Sequence, residues 1–266
     1  MSEIILETRD GGAIVTFNRP ELNNPLNPEM LLELGDFIST IQTDPNVRYL
    51  VLQGAGSNFS AGGDIGTYAT TLDLSAAERR NFFERRVTGN AECFLRLEKL
   101  TIPVIALVRG AAAGAGLSFL LASDFVLAAE DAYFLVAQPR IGLPLDLSLS
   151  YYLPRVVGPK VARQLAFTGA KVDATRALQL GIFDEIYPAD QLDTALERLV
   201  RSFAAVAPRA SGRSKVLVNK SETASLSEQM ANEVRAIGDC VTEPDFREGV
   251  EAFLQKRRSV FTGRTA

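Results

Sequence analysis

Residues 103–123, PVIALVRGAAAGAGLSFLLAS, carry a single charge, Arg109, in an otherwise apolar and small-residue stretch. Positions 104–108 have the length of a strand and no polar residue on either alternate set, so both faces need cover. The glycines and alanines that follow lead into the apolar run 117–121, which reads as a loop opening a buried helix. A strand covered on both faces and followed directly by a buried helix points to an α/β domain. The segment VRYLVLQGAG, residues 47–56, has the same strand character and also ends in glycine.

Elsewhere the pattern is of the same class. IILETRDGGAIVTFNRP reads as a hairpin around Asp10-Gly11-Gly12. In NPEMLLELGDFISTIQTD, Asn27 suits an N-cap and Pro28 the first helical position, with Met30, Leu31, Leu34, Phe37, Ile38 and Ile41 on one face. Residues 75–100 are expected to be a long charged helix. DFVLAAEDAYFLVA reads as two short strands around Glu130-Asp131, and from about residue 158 onward the pattern is largely helical. No sequence repeat is evident. The length, 266 residues, suits one such domain or one with a small appendage.

The chain has no histidine, which excludes a Ser-His-Asp triad and any histidine base or metal ligand. Chemistry must rest on carboxylates, hydroxyls, amines or backbone amides, and no metal site is expected. The net charge is −4 with no basic stripe, so nucleic acid is not an expected partner. No apolar run is long enough to span a membrane, and the first residues do not have the pattern of a signal peptide. Cys93 and Cys240 show no metal or redox spacing, so the expected setting is reduced and cytoplasmic.

Two small-residue loops precede helices: SNFSAGGDI, residues 57–65, and RGAAAGAGLSF, residues 109–119. Small residues leave backbone N–H groups uncovered, and a helix start adds the positive end of its dipole. Two such donors meeting at one point would form an oxyanion hole. Taken alone, glycine and alanine before a helix most often serve tight packing. AAAGAG lacks the spacing of a dinucleotide fingerprint.

In order along the chain, VTFNRPELNNPLN, FSAGGDI, VRGAAAGAGLSFLLASDFVLAAEDAYF, GLPLDLSLSYYLPRVVG, FTGAKVDATRALQLGIFDEI and DFREGVEAFLQKRRSVFTG resemble the blocks of the crotonase (enoyl-CoA hydratase/isomerase) superfamily. The resemblance implies an α/β fold: a crotonase-like spiral of ββα units over residues 1–200. It also implies a helical C-terminal region, 201–266, that builds trimers, often paired into hexamers. It implies an acyl-CoA thioester substrate, with coenzyme A as part of that substrate and no separate cofactor. On the matching motifs, the thioester oxygen would accept from the N–H groups of Gly63 and Ala115. Ala61, Asp64, Ile65 and Leu26 would lie along the CoA, and Lys256 and Phe261 would reach it, sometimes from a neighbouring subunit.

Family hydratases carry two glutamates. Their positions here hold Ser118, expected to be a buried helix residue bonded to a backbone carbonyl, and Arg140. Asp146 instead aligns with an aspartate that faces the substrate in family isomerases and in the aryl-CoA dehalogenases. The dehalogenases add a tryptophan where this chain has Gln138, and the chain has no tryptophan. An isomerase needs one carboxylate, because the base of the first half-reaction is the acid of the second. Leu145, Leu147 and Leu149 are expected to desolvate Asp146. Arg140 could pair with it, grip substrate or face solvent. The other reading of Asp146 is a helix N-cap. Glu84 and Asp73 are outside candidates for a second acid. The expected activity is therefore an enoyl-CoA isomerase. The alternatives are a hydratase, hydrolase or lyase with atypical residues, or a CoA-binding paralogue without catalysis.

Overall fold

A computed structural model describes residues 2–263. Asp10 and Gly11 both take left-handed φ, 51° and 77°, which is the two-residue turn whose twist matches a hairpin. They join β1 (Ile4–Arg9) to β2 (Gly12–Phe17), with Arg9 opposite Gly12. Next come β3 (Pro25–Leu26), α1 (Pro28–Thr43), β4 (Tyr49–Gly54), β5 (Gly62–Gly63), α2 (Ile65–Ala69) and α3 (Ala76–Glu98). The middle of the chain forms β6 (Val104–Val108), β7 (Ala111–Ala113), α4 (Ala115–Leu121), β8 (Phe125–Ala129), β9 (Tyr133–Leu135) and α5 (Leu149–Thr168), the last broken at Gly158. The remainder is β10 (Lys171–Asp173), α6 (Ala174–Gln179), β11 (Glu185–Tyr187), α7 (Leu192–Ser202), α8 (Pro208–Ser221), α9 (Leu226–Val241) and α10 (Pro244–Leu254).

The five strands of five or six residues and the three-residue β11 form one sheet in the order β1-β2-β4-β6-β8-β11, parallel from β2 onward. The short strands lie in a second layer: β3 pairs with β5, and β7 with β9, which pairs with β10. A bridge between Ser60 and Ala112 links the two pairs. Each long strand is thus followed by a short one and then a helix: β2-β3-α1, β4-β5-α2, β6-β7-α4 and β8-β9-α5. This is the spiral of ββα units that the sequence motifs imply. The unit is invisible as a sequence repeat because its helices differ so much in length.

Local chemistry explains the elements. The Asn27 side chain accepts from Met30 N at 2.8 Å and caps α1, whose Met30, Leu31, Leu34, Ile38 and Ile41 are buried. Ser75 and Glu78 cap α3 reciprocally. Phe17, Phe59, Phe94 and Phe119 pack as a chain of rings, 5.6 Å between Phe17 and Phe59 and 4.5 Å between Phe94 and Phe119. Phe59 and Phe119 belong to the two small-residue loops, so the core anchors both.

Three differences from the sequence reading have one cause. The two loops contain the short strands β5 and β7, and the segment after residue 158 contains β10 and β11. Two or three residues are too few to show a period of two. Helix begins before 158, at Leu149. Toward the C-terminus, α9 has no buried residue, whereas Asp245 and Ala252 of α10 are buried. Among the described residues, no helix is long and apolar enough to cross a membrane.

Candidate active site

The two loops run side by side as parallel backbone. Ser60 N donates to Ala111 O at 2.9 Å, and Ala113 N donates to Ser60 O at 2.9 Å. Gly62 has φ 92°, and a Cβ there would fall 2.7 Å from Ala113 O and 3.4 Å from Ala115 N. Only glycine permits that approach. It brings β5 against the start of α4. Asp64 N donates back to Leu26 O at 3.1 Å, and successive N–H groups of a strand point to opposite sides. The Gly63 N–H therefore faces away from β3. Ala115 is the first residue of α4, so its N–H has no acceptor within the helix.

Gly63 and Ala115 line one cavity of about 450 Å³, together with Leu26, Ala61, Ile65 and Asp146. Six of the nine residues expected at the site therefore meet there. Asp64 lies beside it: its carboxylate accepts from Arg19 Nη1 at 2.7 Å and caps α2 through Gly66 N at 2.9 Å. Burial alone would raise the Asp64 pKa, but the Arg19 and backbone hydrogen bonds hold it below the usual range. Lys256 is exposed, with a left-handed φ of 52° just past α10. Phe261 packs against Gly249 and lines a separate cavity with Arg48 and Tyr49. Within one chain, these two are not at the Gly63–Ala115 cavity.

Asp146 is half-buried, and its Oδ1 accepts from Gln138 Nε2 at 2.9 Å. It is not a helix N-cap. Ser148 occupies that position without capping through its side chain, and Asp146 contributes its carbonyl to Leu149 N. Leu147 and Ser148 both have left-handed φ, 45° and 69°, unusual for residues with side chains. That turn differs from the leucine cage the sequence suggests. Leu147 shares the cavity wall with Asp146, whereas Leu149 is wholly buried in the core and Leu145 packs against it. Of the three leucines only Leu147 lines the cavity with Asp146, whose carboxylate is held by Gln138.

The other named residues resolve simply. Arg140 donates to Gly169 O at 3.0 Å at the end of α5 and does not pair with Asp146. Ser118 is fully buried as expected, but its Oγ has no hydrogen-bond partner, contrary to the expected carbonyl bond. Glu84 lines the cavity mouth but is exposed and ion-paired with Arg80 at 2.9 Å. Asp73 is not among the lining residues.

Tyr68 and Arg86, both on the cavity wall, escaped the sequence reading. The Tyr68 hydroxyl lies directly over the Gly63 Cα, where a Cβ would collide with it. Its ring sits edge-on to Phe83, centroids 5.1 Å apart, and carries the Arg86 guanidinium 5.1 Å from its centroid. Burial raises the Tyr68 phenol above its usual pKa; Arg86 pulls it down and Asp146 adds to the rise. Arg86 sits in a charged run, ERRNFFERR, that reads as solvated. Its helical spacing gives it away: Arg86, Asn90, Cys93, Phe94 and Leu97 form the buried stripe of α3.

A sequence profile described as Enoyl-CoA hydratase/isomerase matches residues 7–264. The chain belongs to that family. Among its relatives is a crotonyl-CoA hydratase of Syntrophomonas wolfei, 33% identical over 261 residues, 97% of each chain. Another is a 1,2-epoxyphenylacetyl-CoA isomerase of Escherichia coli, 34% identical over 265 residues, covering 99% of this chain and 100% of that one. The crystal structure of an enoyl-CoA hydratase from Polaromonas sp. JS666 superposes with a TM-score of 0.90 at 29% identity, over 97% of this chain and 99% of that one. As a member of the enoyl-CoA hydratase/isomerase family, this enzyme acts within acyl-CoA chemistry. The relatives' names span both hydration and isomerisation, so the choice between them falls to the cavity.

Proposed function

We propose that the enzyme is an acyl-CoA isomerase that moves a double bond of an enoyl-CoA through a thioester enolate. The thioester oxygen accepts from Gly63 N–H and Ala115 N–H. Asp146 removes a proton from the carbon beside the carbonyl, and the charge passes to the held oxygen. It then returns the proton two carbons further along the dienolate. Fixed dipoles aimed at the developing oxyanion stabilise it without having to reorganise. The carrying observation is that Asp146 is the half-buried carboxylate on the cavity wall, whereas the two family glutamate positions hold a buried serine and an arginine turned to Gly169 O. The CoA would run past Leu26, Ala61, Asp64 and Ile65, and no cofactor beyond it is needed.

A second reading, atypical hydration, is favoured by Glu84 at the cavity mouth. Incubation with a 3-enoyl-CoA and, separately, with a 2-enoyl-CoA decides between them. Formation of the 2-enoyl thioester from the first supports isomerisation. Water addition to the second, without that conversion, overturns it. Cys93 and Cys240 are free thiols, which suits a reduced, cytoplasmic setting.

Residues 201–266 are proposed to assemble the chain into a trimer or a dimer of trimers, with Lys256 and Phe261 reaching CoA across that contact. Leu226, Met230, Val234, Ile237 and Val241 form an apolar stripe along α9 that is exposed in the single chain. Ile237→Glu is expected to shift the protein to monomers in sedimentation velocity. An unchanged sedimentation coefficient would place the interface elsewhere.

A further inference from the structure

Arg86 is a cation inside a substrate cavity. It is only 8% exposed, and it lines the same cavity as Gly63, Ala115 and Asp146. Its Nη1 is buried without a hydrogen-bond partner; the rest of the guanidinium meets only neutral groups, Leu26 O at 3.4 Å from Nη2 and the Tyr68 hydroxyl. Among the described residues no carboxylate forms an ion pair with it. Asp146 is engaged by Gln138, and Glu84 by Arg80. The phenol of Tyr68 and the carbonyl of Leu26 are neutral and leave the charge uncompensated. A buried guanidinium with an open donor is costly unless an anion completes it. A hydrocarbon acyl chain would cover that donor and supply no acceptor.

We propose that the acyl group of the substrate bears a carboxylate on its far end, bound by Arg86 with Tyr68 alongside. A carboxylate is the partner that matches the planar guanidinium fork, whereas a hydroxyl or ketone offers one lone-pair site and no charge. Tyr68 lies over Gly63 and Arg86 lies against the Tyr68 ring, so the acyl chain is short. Arg86 would then exclude simple fatty acyl groups by leaving its own charge unpaired. This names the substrate class for the isomerase reading and rests on the same cavity being the acyl site.

Binding of unreactive thioesters tests it separately from turnover. The assembled enzyme is titrated calorimetrically with hexanoyl-CoA, 6-hydroxyhexanoyl-CoA and adipoyl-CoA. Adipoyl-CoA is expected to bind about 10-fold tighter than hexanoyl-CoA, the scale of one hydrogen bond between charged groups. Arg86→Met is expected to remove that preference, and Arg86→Lys to keep part of it. Equal affinities in the parent enzyme, tightest binding of the hydroxyl thioester, or a preference that survives Arg86→Met would each overturn the proposal. Where Arg86→Met does not fold, the parent ratios and Arg86→Lys decide. An enzyme that prefers adipoyl-CoA but isomerises nothing keeps this inference and loses the isomerase reading. An enzyme that isomerises a 3-hexenoyl thioester and shows no preference does the reverse.

Discussion

Asp146→Asn is expected to lower kcat for double-bond migration by about 10²–10⁴-fold, the range that a positioned general acid–base group contributes. The substitution is nearly isosteric. The asparagine Oδ1 can still accept from Gln138 Nε2, so the strained turn at Leu147 and Ser148 keeps its support. What is lost is the capacity to take a proton. Affinity for a saturated acyl-CoA, which needs no proton transfer, should be unchanged. Deuterium exchange at the carbon beside the thioester, followed by mass spectrometry in D₂O, should vanish in step with kcat. Exchange that persists at the parent rate would remove Asp146 from the enolisation step, leaving Glu84 as the other carboxylate on the cavity wall.

The second large effect concerns a backbone donor, which few substitutions can delete. Ala115 offers a route because it is the first residue of α4, the position where proline is tolerated and where the missing N–H breaks no helical bond. A proline restricts the residue before it to extended conformations. Gly114 has φ 50° and ψ −117°, the mirror image of an extended conformation, which glycine adopts without cost. Ala115→Pro should therefore fold, while removing one of the two donors and placing a ring carbon where the oxygen would sit. Loss of one oxyanion donor typically costs about 2.7–4 kcal/mol, or ~10²–10³ in kcat. Turnover is expected to fall at least that far, with the far-ultraviolet circular dichroism spectrum preserved. Undiminished turnover in a folded Ala115→Pro enzyme would mean that the thioester oxygen is held by other groups.

Much of the architecture is legible in the sequence because its cues are local and strong. Asp10-Gly11 and the Asn27 cap each fix one element through chemistry confined to a few residues. The buried strand β6 is legible because an uncharged apolar run has few other homes. β5, β7, β10 and β11 are not, since each is two or three residues long and exists through its pairing partners rather than its own pattern. The site divides in the same way. The two small-residue loops before helices and Asp146, a lone acid among leucines, stand out in the sequence; Gly63 and Ala115 within those loops are singled out only by the family resemblance. Tyr68 and Arg86 do not stand out: Arg86 is hidden in a run of surface-type charges, and its burial follows from how α3 sets it against Tyr68 and Leu26. Gln138, noted only where family dehalogenases carry a tryptophan, becomes significant once folding sets its amide against Asp146. The conformation at Leu147 and Ser148 illustrates the limit most clearly. A left-handed leucine is unfavourable locally, so only the surrounding structure can impose it.

In the mechanism proposed for this enzyme, the main-chain N–H groups of Gly63 and Ala115 hold one thioester oxygen while Asp146 faces the carbons beside it. A crystal structure of the enzyme with a bound unreactive acyl-CoA measures this directly. The thioester oxygen should lie at about 2.7–3.1 Å from both nitrogens, with the Asp146 carboxylate turned toward the acyl chain. A thioester oxygen bonded to neither nitrogen, or an acyl chain lodged outside the cavity that Gly63 and Ala115 share, would contradict it.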